Sequence, residues 1–218
     1  MFIKRYIAVI MILMLSSLAF AQMRLARLHY TGGGDWYNDP EVLPNLAKYV
    51  NNQLNTSFAL NEKVIRLTDA DLPDFPFIYM TGHGNVKFSG REVENLREYL
   101  LSGGFLYCDD DYGLDKSFRI EISRVFPNRE LVELPQDHDL FKCYFTFSNG
   151  TPKIHEHDKK RPQSFAIFDD YGRIMVLYTY ESNISDGWAD YSTHQNSDQT
   201  RESALQFGTN ILHFLLTK

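Results

Sequence analysis

Four apolar runs, each followed by a polar loop rich in glycine, aspartate or histidine, constrain the fold of this chain more than any other feature. The runs occupy residues 24–30, 75–80, 105–108 and 173–180. Such runs are typical of strands that are buried on both faces of a parallel sheet. Ligands bind beyond the carboxyl ends of the strands in an open α/β sheet. The four following loops are therefore expected to meet at one edge, which we call the rim.

The segments between and after these runs carry helical signals. Apolar residues recur at three- and four-residue spacing over residues 43–54 and 204–215, as on one face of a helix. Ser89 and Glu92 predict a capping box before a third helix, and Asp115 is expected to cap a fourth. Strands that alternate with helices predict an α/β fold with a mostly parallel sheet, formed as a single domain after residue 21.

Residues 129–180 depart from this alternation and are expected to form a β-rich insertion. Residues 129–135 favour a short strand, and residues 141–147 alternate between apolar and polar side chains, as strands do. Residues 169–172 separate two further apolar segments, so they predict the turn of a β-hairpin.

The N-terminal residues 1–21 match a secretory signal peptide. Two basic residues precede an apolar stretch over residues 7–20, and Ala19 and Ala21 fit the small-x-small cleavage rule. The alternative is a single membrane anchor, but the stretch is shorter than the roughly 20 residues that span a bilayer. We therefore expect cleavage after Ala21, a periplasmic or secreted protein, and no membrane span after cleavage.

Charge and cysteine content bound what the chain can do. Without Lys4 and Arg5 the formal charge is −8 instead of −6, and no basic cluster remains. Nucleic-acid binding depends on basic side chains that neutralise phosphates, so nucleic acid is not an expected partner. No nucleotide cofactor is expected, because neither G-x-G-x-x-G nor a P-loop occurs. Export permits a disulfide between Cys108 and Cys143, but their apolar flanks favour two separate thiols.

The first polar loop holds Gly33, Gly34, Asp35, Trp36 and Tyr37. Consecutive glycines let a backbone approach a ligand closely and present N–H groups to it. Tryptophan and tyrosine rings stack on ligands such as sugars. The same residues also suit a tight turn in which the two rings cover the sheet. Both interpretations stay open, and all five residues are candidate ligand contacts.

His83, Asp109 and Asp110 are the candidates for acid–base chemistry if the protein is an enzyme, and for ligand contact if it is not. His83 stands exposed between two glycines, although a structural histidine in a tight loop fits as well. The two aspartates belong to three adjacent carboxylates whose repulsion a cation would relieve, and a solvated acidic turn is the alternative. These carboxylates oppose thiolate formation at Cys108, which makes it a poor nucleophile.

Three side chains are candidate metal ligands, so a divalent metal is the candidate cofactor. His155 and His157 would lie on one face of a strand, which suits zinc, but basic residues follow at once and a surface loop fits as well. Asp110 is the third. In the last polar loop Asp186 is a candidate ligand contact, whereas His194 is interpreted as an ordinary loop residue.

Several segments together resemble a bacterial family described as a domain of unknown function, the 4159 family. They include HYTGGGDWYNDP, IYMTGHGNV, LREYLLSGGFLYCDDDYG, RELVELPQDHDLF, GTPKIHEHD and GRIMVLYTYESNISDGW, and span nearly the whole chain after residue 21. The resemblance implies a flavodoxin-like, three-layer α/β sandwich similar to that of class I glutamine amidotransferases. Members also form the C-terminal part of larger membrane-anchored envelope proteins, which implies envelope protein partners.

The same resemblance counts against glutamine hydrolysis. The amidotransferases carry their cysteine nucleophile in a Gly-x-Cys-x-Gly turn, and the sequence around Cys108 lacks both glycines. No His-x-Glu motif occurs near the C-terminal helix either. The resemblance therefore supports the fold and the position of the rim, and it does not supply a reaction.

Three functions fit these observations. The leading hypothesis is an exported domain that binds a small polar, carbohydrate-like ligand at the rim, within an envelope complex or alone. The second is a metal-assisted or Asp/His-dependent hydrolase, in which His83 is the acid and Asp109 or Asp110 is the base or holds the metal. The third is a non-catalytic protein-interaction module.

Overall fold

The computed structural model describes residues 22–218, so the expected signal peptide lies outside the described residues. The strands are β1 (Ala26–Leu28), β2 (Lys63–Ile65), β3 (Phe77–Met80), β4 (Phe105–Asp109), β5 (Val132–Glu133), β6 (Gln163–Phe168) and β7 (Ile174–Tyr180). The helices are α1 (Val42–Leu54), α2 (Gly90–Leu101), α3 (Asp115–Val125), α4 (Tyr191–His194) and α5 (Asp198–Thr217). Short 3-10 helices cover Leu72–Asp74, Asp139–Phe141 and Ser185–Gly187.

These strands form one sheet in the order β2-β1-β3-β4-β7-β6-β5. The neighbours from β2 to β7 run parallel, and β6 and β5 continue the sheet antiparallel. The chain reverses its direction of winding between β1 and β3, and ligands bind at such a switch point in open α/β sheets. The mostly parallel α/β sheet predicted from the sequence is confirmed.

Helices cover both faces of the sheet. Ile78 and Met80 of β3 pack in a core with α2 and α3, whereas Phe77 and Tyr79 pack in a second core with α1 and α5. Successive side chains of a strand point to opposite faces. Because both faces are buried, neither can be polar, and this explains the continuous apolar runs. The architecture is a three-layer α/β sandwich.

One predicted helix cap is confirmed and the other is wrong. Ser89 Oγ accepts the Glu92 N–H at 3.3 Å, and Glu92 Oε2 accepts the Ser89 N–H at 2.7 Å, which completes the capping box of α2. Asp115 does not cap α3, because it is already the first residue of that helix. The N-cap residue is Leu114, which provides no side-chain cap, and its own N–H donates to Asp110 Oδ1 at 2.9 Å.

The β-rich segment widens the main sheet. The predicted hairpin is confirmed, with β6 and β7 joined by a turn in which the Asp169 N–H donates to the Arg173 carbonyl at 2.9 Å. β7 is the fifth parallel strand, and β6 with the two-residue β5 forms the antiparallel edge.

The alternating residues 141–147 do not form a strand, contrary to prediction. Phe141 ends the 3-10 helix, residues 142–147 form an irregular loop, and Asn210 of α5 takes the place of a neighbouring strand. Its Oδ1 accepts the Phe145 N–H at 2.8 Å, and its Nδ2 donates to the carbonyls of Leu140 and Phe145. The apolar side chains are still used, because Phe141 and Phe147 pack on Phe207.

Both cysteines are free thiols. Cys108 is fully buried in β4, and Cys143 is half-buried beside α5. Over residues 22–218, the chain contains no helix whose length and apolar composition suit a membrane crossing.

Candidate functional site

The rim brings the four predicted polar loops side by side, because β1, β3, β4 and β7 are consecutive neighbours in the sheet. The loop after β1 is anchored from below by Arg27, a fully buried residue of that strand. Its guanidinium donates to the carbonyls of Trp36, Asn38 and Asp39 at 3.2, 2.8 and 3.0 Å and pairs with Glu62 at 3.0 Å. Arg27 was not identified from the sequence, because alternation in so short a strand does not indicate which side chains are buried.

Glycines allow the first and second loops to pack closely against each other. Tyr30 Oη donates to the Thr81 carbonyl at 2.9 Å. A Cβ atom on Gly34 or Gly82 would lie only 2.5 or 2.3 Å from this hydroxyl, so neither position accepts a side chain. Gly33 is different, since a Cβ there would meet no atom within 4 Å. Of the two candidate glycines, only Gly33 faces open space.

His83 lies between two carboxylates at the switch point. Its Nδ1 is 3.1 Å from Asp35 Oδ2 and 3.1 Å from Asp111 Oδ2, and its side chain is 52% exposed. No hydrogen bond to Nε2 occurs within residues 22–218. Burial lowers the pKa of His83, but the charges of Asp111 and Asp35 outweigh it, and the pKa is raised. A carboxylate that holds Nδ1–H leaves Nε2 free to transfer protons.

Asp111 is the central carboxylate of the rim, although it was not among the candidates. It is buried, and its oxygens accept the side-chain amides of Asn38 at 2.8 Å and Asn183 at 2.7 Å. Burial and then the charge of Asp186 raise its pKa. Asp111 therefore joins the loop after β1, the loop after β7 and His83 through one side chain.

Asp109 and Asp110 are placed differently from Asp111 and do not contact His83. Asp109 is fully buried, and its carboxylate accepts the backbone N–H and the hydroxyl of Ser185 at 2.7 Å each and the hydroxyl of Thr179. Burial raises the pKa of Asp109 to about 6, against these hydrogen bonds. Asp109 therefore holds the loop after β7 in place.

Asp110 borders a cavity. Burial raises its pKa to about 7. The cavity has a volume of about 350 Å³, and its wall includes Asp110, Asp111, Lys116 and Lys160. Of the two aspartates predicted for acid–base chemistry, Asp110 is the one that a ligand in this cavity could contact.

The aromatic residues of the rim differ in exposure. Trp36 is half-buried and stacks on His29, with ring centroids 4.2 Å apart. Tyr37 is 64% exposed. Trp188 is fully buried and donates its Nε1–H to the Ala204 carbonyl at 2.8 Å, so it belongs to the core under the rim.

His155 and His157 do not lie on one face of a strand, contrary to prediction. Residues 154–158 are not a strand, and His157 Nε2 contacts Asn183 Oδ1 at 2.9 Å. His155 instead faces Asp186, with Nδ1 2.7 Å from Oδ2, and this hydrogen bond raises the pKa of His155 against the effect of burial.

His194 completes a second cluster. Its Nε2 is 3.8 Å from Asp186 Oδ1, and ligand atoms of His155, Asp186 and His194 all lie within 4.8 Å of one another. These three side chains could hold a metal ion. Among the metal candidates from the sequence, His155 belongs to this cluster and His157 and Asp110 do not.

A larger cavity lies at the opposite end of the sheet. It has a volume of about 830 Å³ and is lined near the start of β4 and β7 by Phe105, His138, Arg173 and Phe214. His138, another histidine of the sequence, is therefore remote from the rim. The larger cavity therefore lies away from the titratable side chains of the rim. We take the rim as the candidate functional site because acid–base chemistry requires those side chains.

The comparison with protein families identifies the chain. Residues 24–216 match the family described as Domain of unknown function (DUF4159). The chain belongs to the DUF4159 family. The match covers every strand, helix and loop that builds the rim of this DUF4159 protein, so the predicted membership of this family is confirmed. Comparison with curated proteins gave no significant match.

Proposed function

We propose that the rim of this DUF4159 protein is the active site of a hydrolase that acts on a small polar substrate, with His83 as the group that transfers protons. One observation carries the proposal. The His83 ring lies between Asp35 and Asp111 at the switch point of the sheet, with Nδ1 on the carboxylates and half of the side chain exposed.

The reaction follows from this geometry. Nε2 of neutral His83 removes a proton from water as the water oxygen attacks the substrate, and the imidazolium then returns that proton to the leaving group. Asp35 and Asp111 stabilise the imidazolium and hold the ring in the tautomer that frees Nε2. Water is the nucleophile because Cys108 is fully buried, and its burial raises the pKa of the thiol well above its usual range.

The substrate class is inferred from a cavity at the rim that is lined by Asp111, the buried carboxylate 3.1 Å from His83 Nδ1. Its volume of about 350 Å³ suits a small molecule. Asp110, Lys116 and Lys160 also line it, so both signs of charge are available to polar groups. With its raised pKa, Asp110 can donate a hydrogen bond as well as accept one.

A second function is supported by Tyr37. Its exposed ring beside Trp36 could stack on a carbohydrate-like ligand without any turnover. In that case Tyr37→Ala weakens ligand binding and His83→Gln leaves it unchanged. For either function the proposed compartment is the periplasm or the exterior, because residues 1–21 fit a signal peptide.

The test is a panel of chromogenic esters, phosphoesters, amides and glycosides. We expect turnover of at least one class, and His83→Gln should lower kcat/KM about 10²- to 10⁴-fold. His138→Gln is the matched control at the opposite end of the sheet and should leave kcat/KM unchanged. No turnover of any class, or equal activity of wild type and His83→Gln, contradicts the hydrolase.

A further inference from the structure

Three side chains from separate segments converge beyond the end of β7. Asp186 belongs to the 3-10 helix Ser185–Gly187, His194 is the last residue of α4, and His155 lies in the segment before β6. The Asp186 side chain is only 4% exposed, and those of the two histidines are 28% and 25% exposed. Two imidazoles thus flank a buried carboxylate at a place that solvent still reaches.

The tautomer of His155 is determined by Asn196. The Asn196 amide nitrogen donates to the Asp186 carbonyl at 3.1 Å, so the amide oxygen is the atom that faces His155 Nε2 at 2.8 Å. An oxygen accepts, and Nε2 therefore carries a proton. The other nitrogen of neutral His155, Nδ1, then directs its lone pair at Asp186 Oδ2, 2.7 Å away. Two lone pairs in contact require a cation between them, either a proton or a metal ion.

Carboxylates dominate the surroundings of this contact. Asp39 Oδ2 lies 2.7 Å from His194 Nε2 and adds a second carboxylate to the cluster. Within residues 22–218, Asp39 and Asp186 form ion pairs with histidines and with no lysine or arginine. The cluster therefore lacks a permanent positive charge.

We propose that His155, Asp186 and His194 bind a divalent transition-metal ion of the zinc type. Two imidazole nitrogens and one carboxylate oxygen suit such an ion and do not suit Mg²⁺, which prefers oxygen ligands. Three protein ligands leave a coordination position open to water, as in catalytic zinc sites. A metal-bound histidine is usually oriented by a hydrogen bond from its second ring nitrogen. Asn196 accepts such a bond from His155 Nε2.

The spacing requires only a small adjustment. Ligand atoms on one tetrahedral zinc ion stand about 3.3 Å apart, since Zn–N distances are about 2.0–2.1 Å. The three ligand atoms here lie within 4.8 Å of one another. Closure by about 1.5 Å forms the site, with exchange of the His194–Asp39 contact for the metal bond. The proposal does not rest on the hydrolase, because it concerns binding alone.

The experiment is a calorimetric titration of the purified, chelator-treated protein with Zn²⁺ and, separately, with Mg²⁺. We expect one Zn²⁺ per chain and no binding of Mg²⁺. His194→Gln should weaken Zn²⁺ binding at least about 100-fold, and Asn196→Ala about 10- to 100-fold. His157→Gln is the matched control, two residues from His155 but bonded to Asn183, and should change affinity less than about threefold. Failure to bind Zn²⁺, or loss in His157→Gln with retention in His194→Gln, overturns the proposal.

A second measurement needs no variant and covers the case in which His194→Gln does not fold. X-ray absorption of the zinc-loaded wild-type protein should show two imidazoles and additional oxygen ligands in the first shell. Sulfur ligation, or a shell of oxygen atoms without imidazole, overturns the assignment. Neither measurement depends on a substrate, so failure of this proposal is distinguishable from failure of the hydrolase.

Discussion

Asp109 is a buried carboxylate whose ionisation should make the protein less stable as the pH rises. Desolvation favours the neutral acid, whereas the donors from Ser185 and Thr179 favour the carboxylate. Desolvation prevails, and the pKa rises from 3.8 to about 6. The unfolded chain thus loses this proton at a lower pH than the folded chain does. The free energy of unfolding therefore falls through this pH range.

The magnitude follows from the shift. A rise of the pKa from 3.8 to about 6 lowers the free energy of unfolding at neutral pH by about 3 kcal/mol. About 2 kcal/mol of this develops between roughly pH 4.5 and 7. Asp109→Asn keeps the shape of the side chain and cannot ionise. The variant should gain about 2 kcal/mol relative to wild type over this range, whatever the fixed effect of the altered hydrogen bonds.

The assay is urea denaturation of both proteins in a buffer with chelator at several pH values. The quantity of interest is the difference in the free energy of unfolding between variant and wild type. A difference that does not change with pH means that Asp109 has an ordinary pKa. If instead the wild-type protein becomes more stable relative to the variant as the pH rises, the hydrogen bonds to the Asp109 carboxylate outweigh its desolvation. Either result refutes the argument.

Two further predictions concern residues that support the rim from inside. Gly208→Ala should destabilise the protein by about 1–3 kcal/mol in urea denaturation, since the new Cβ would lie 2.9 Å from the Trp188 ring. Gly90→Ala, where nothing lies within 4 Å, should be neutral or stabilising by up to about 1 kcal/mol, and equal effects of the two would contradict this. Arg27→Ala should cost about 3–5 kcal/mol because Glu62 stays partly buried without its partner, and Glu62→Gln should restore part of the loss. No recovery in the double variant would mean that Arg27 acts through the loop carbonyls alone.

The position of the rim was predictable from the sequence because it depends on local signals. The apolar runs indicate strands, and parallel strands necessarily direct their following loops to one edge. The capping box of α2 and the turn at residues 169–172 are equally local. Residues 141–147 show the limit of such signals, because Asn210 of a distant helix supplies the bonds that another strand would otherwise make.

The composition of the site was less predictable, since it depends on contacts between distant residues. His194 gives no local sign of its role, and its partner Asp39 lies far earlier in the chain. Among three adjacent aspartates, the sequence does not distinguish the one that reaches His83 from the two that hold Ser185 and Leu114. Their directions depend on where β4 ends and on what each carboxylate finds beyond it.

The central claim is that His83 is a proton carrier whose Nδ1 is held by carboxylates, and NMR titration of its ring tests this without a substrate. We predict a pKa above the ordinary 6.5 in the wild-type protein, because the charges of Asp111 and Asp35 outweigh burial. Asp35→Asn should lower that pKa and leave the resonances of His138 unchanged. A His83 pKa at or below 6.5 that does not respond to Asp35→Asn contradicts the account.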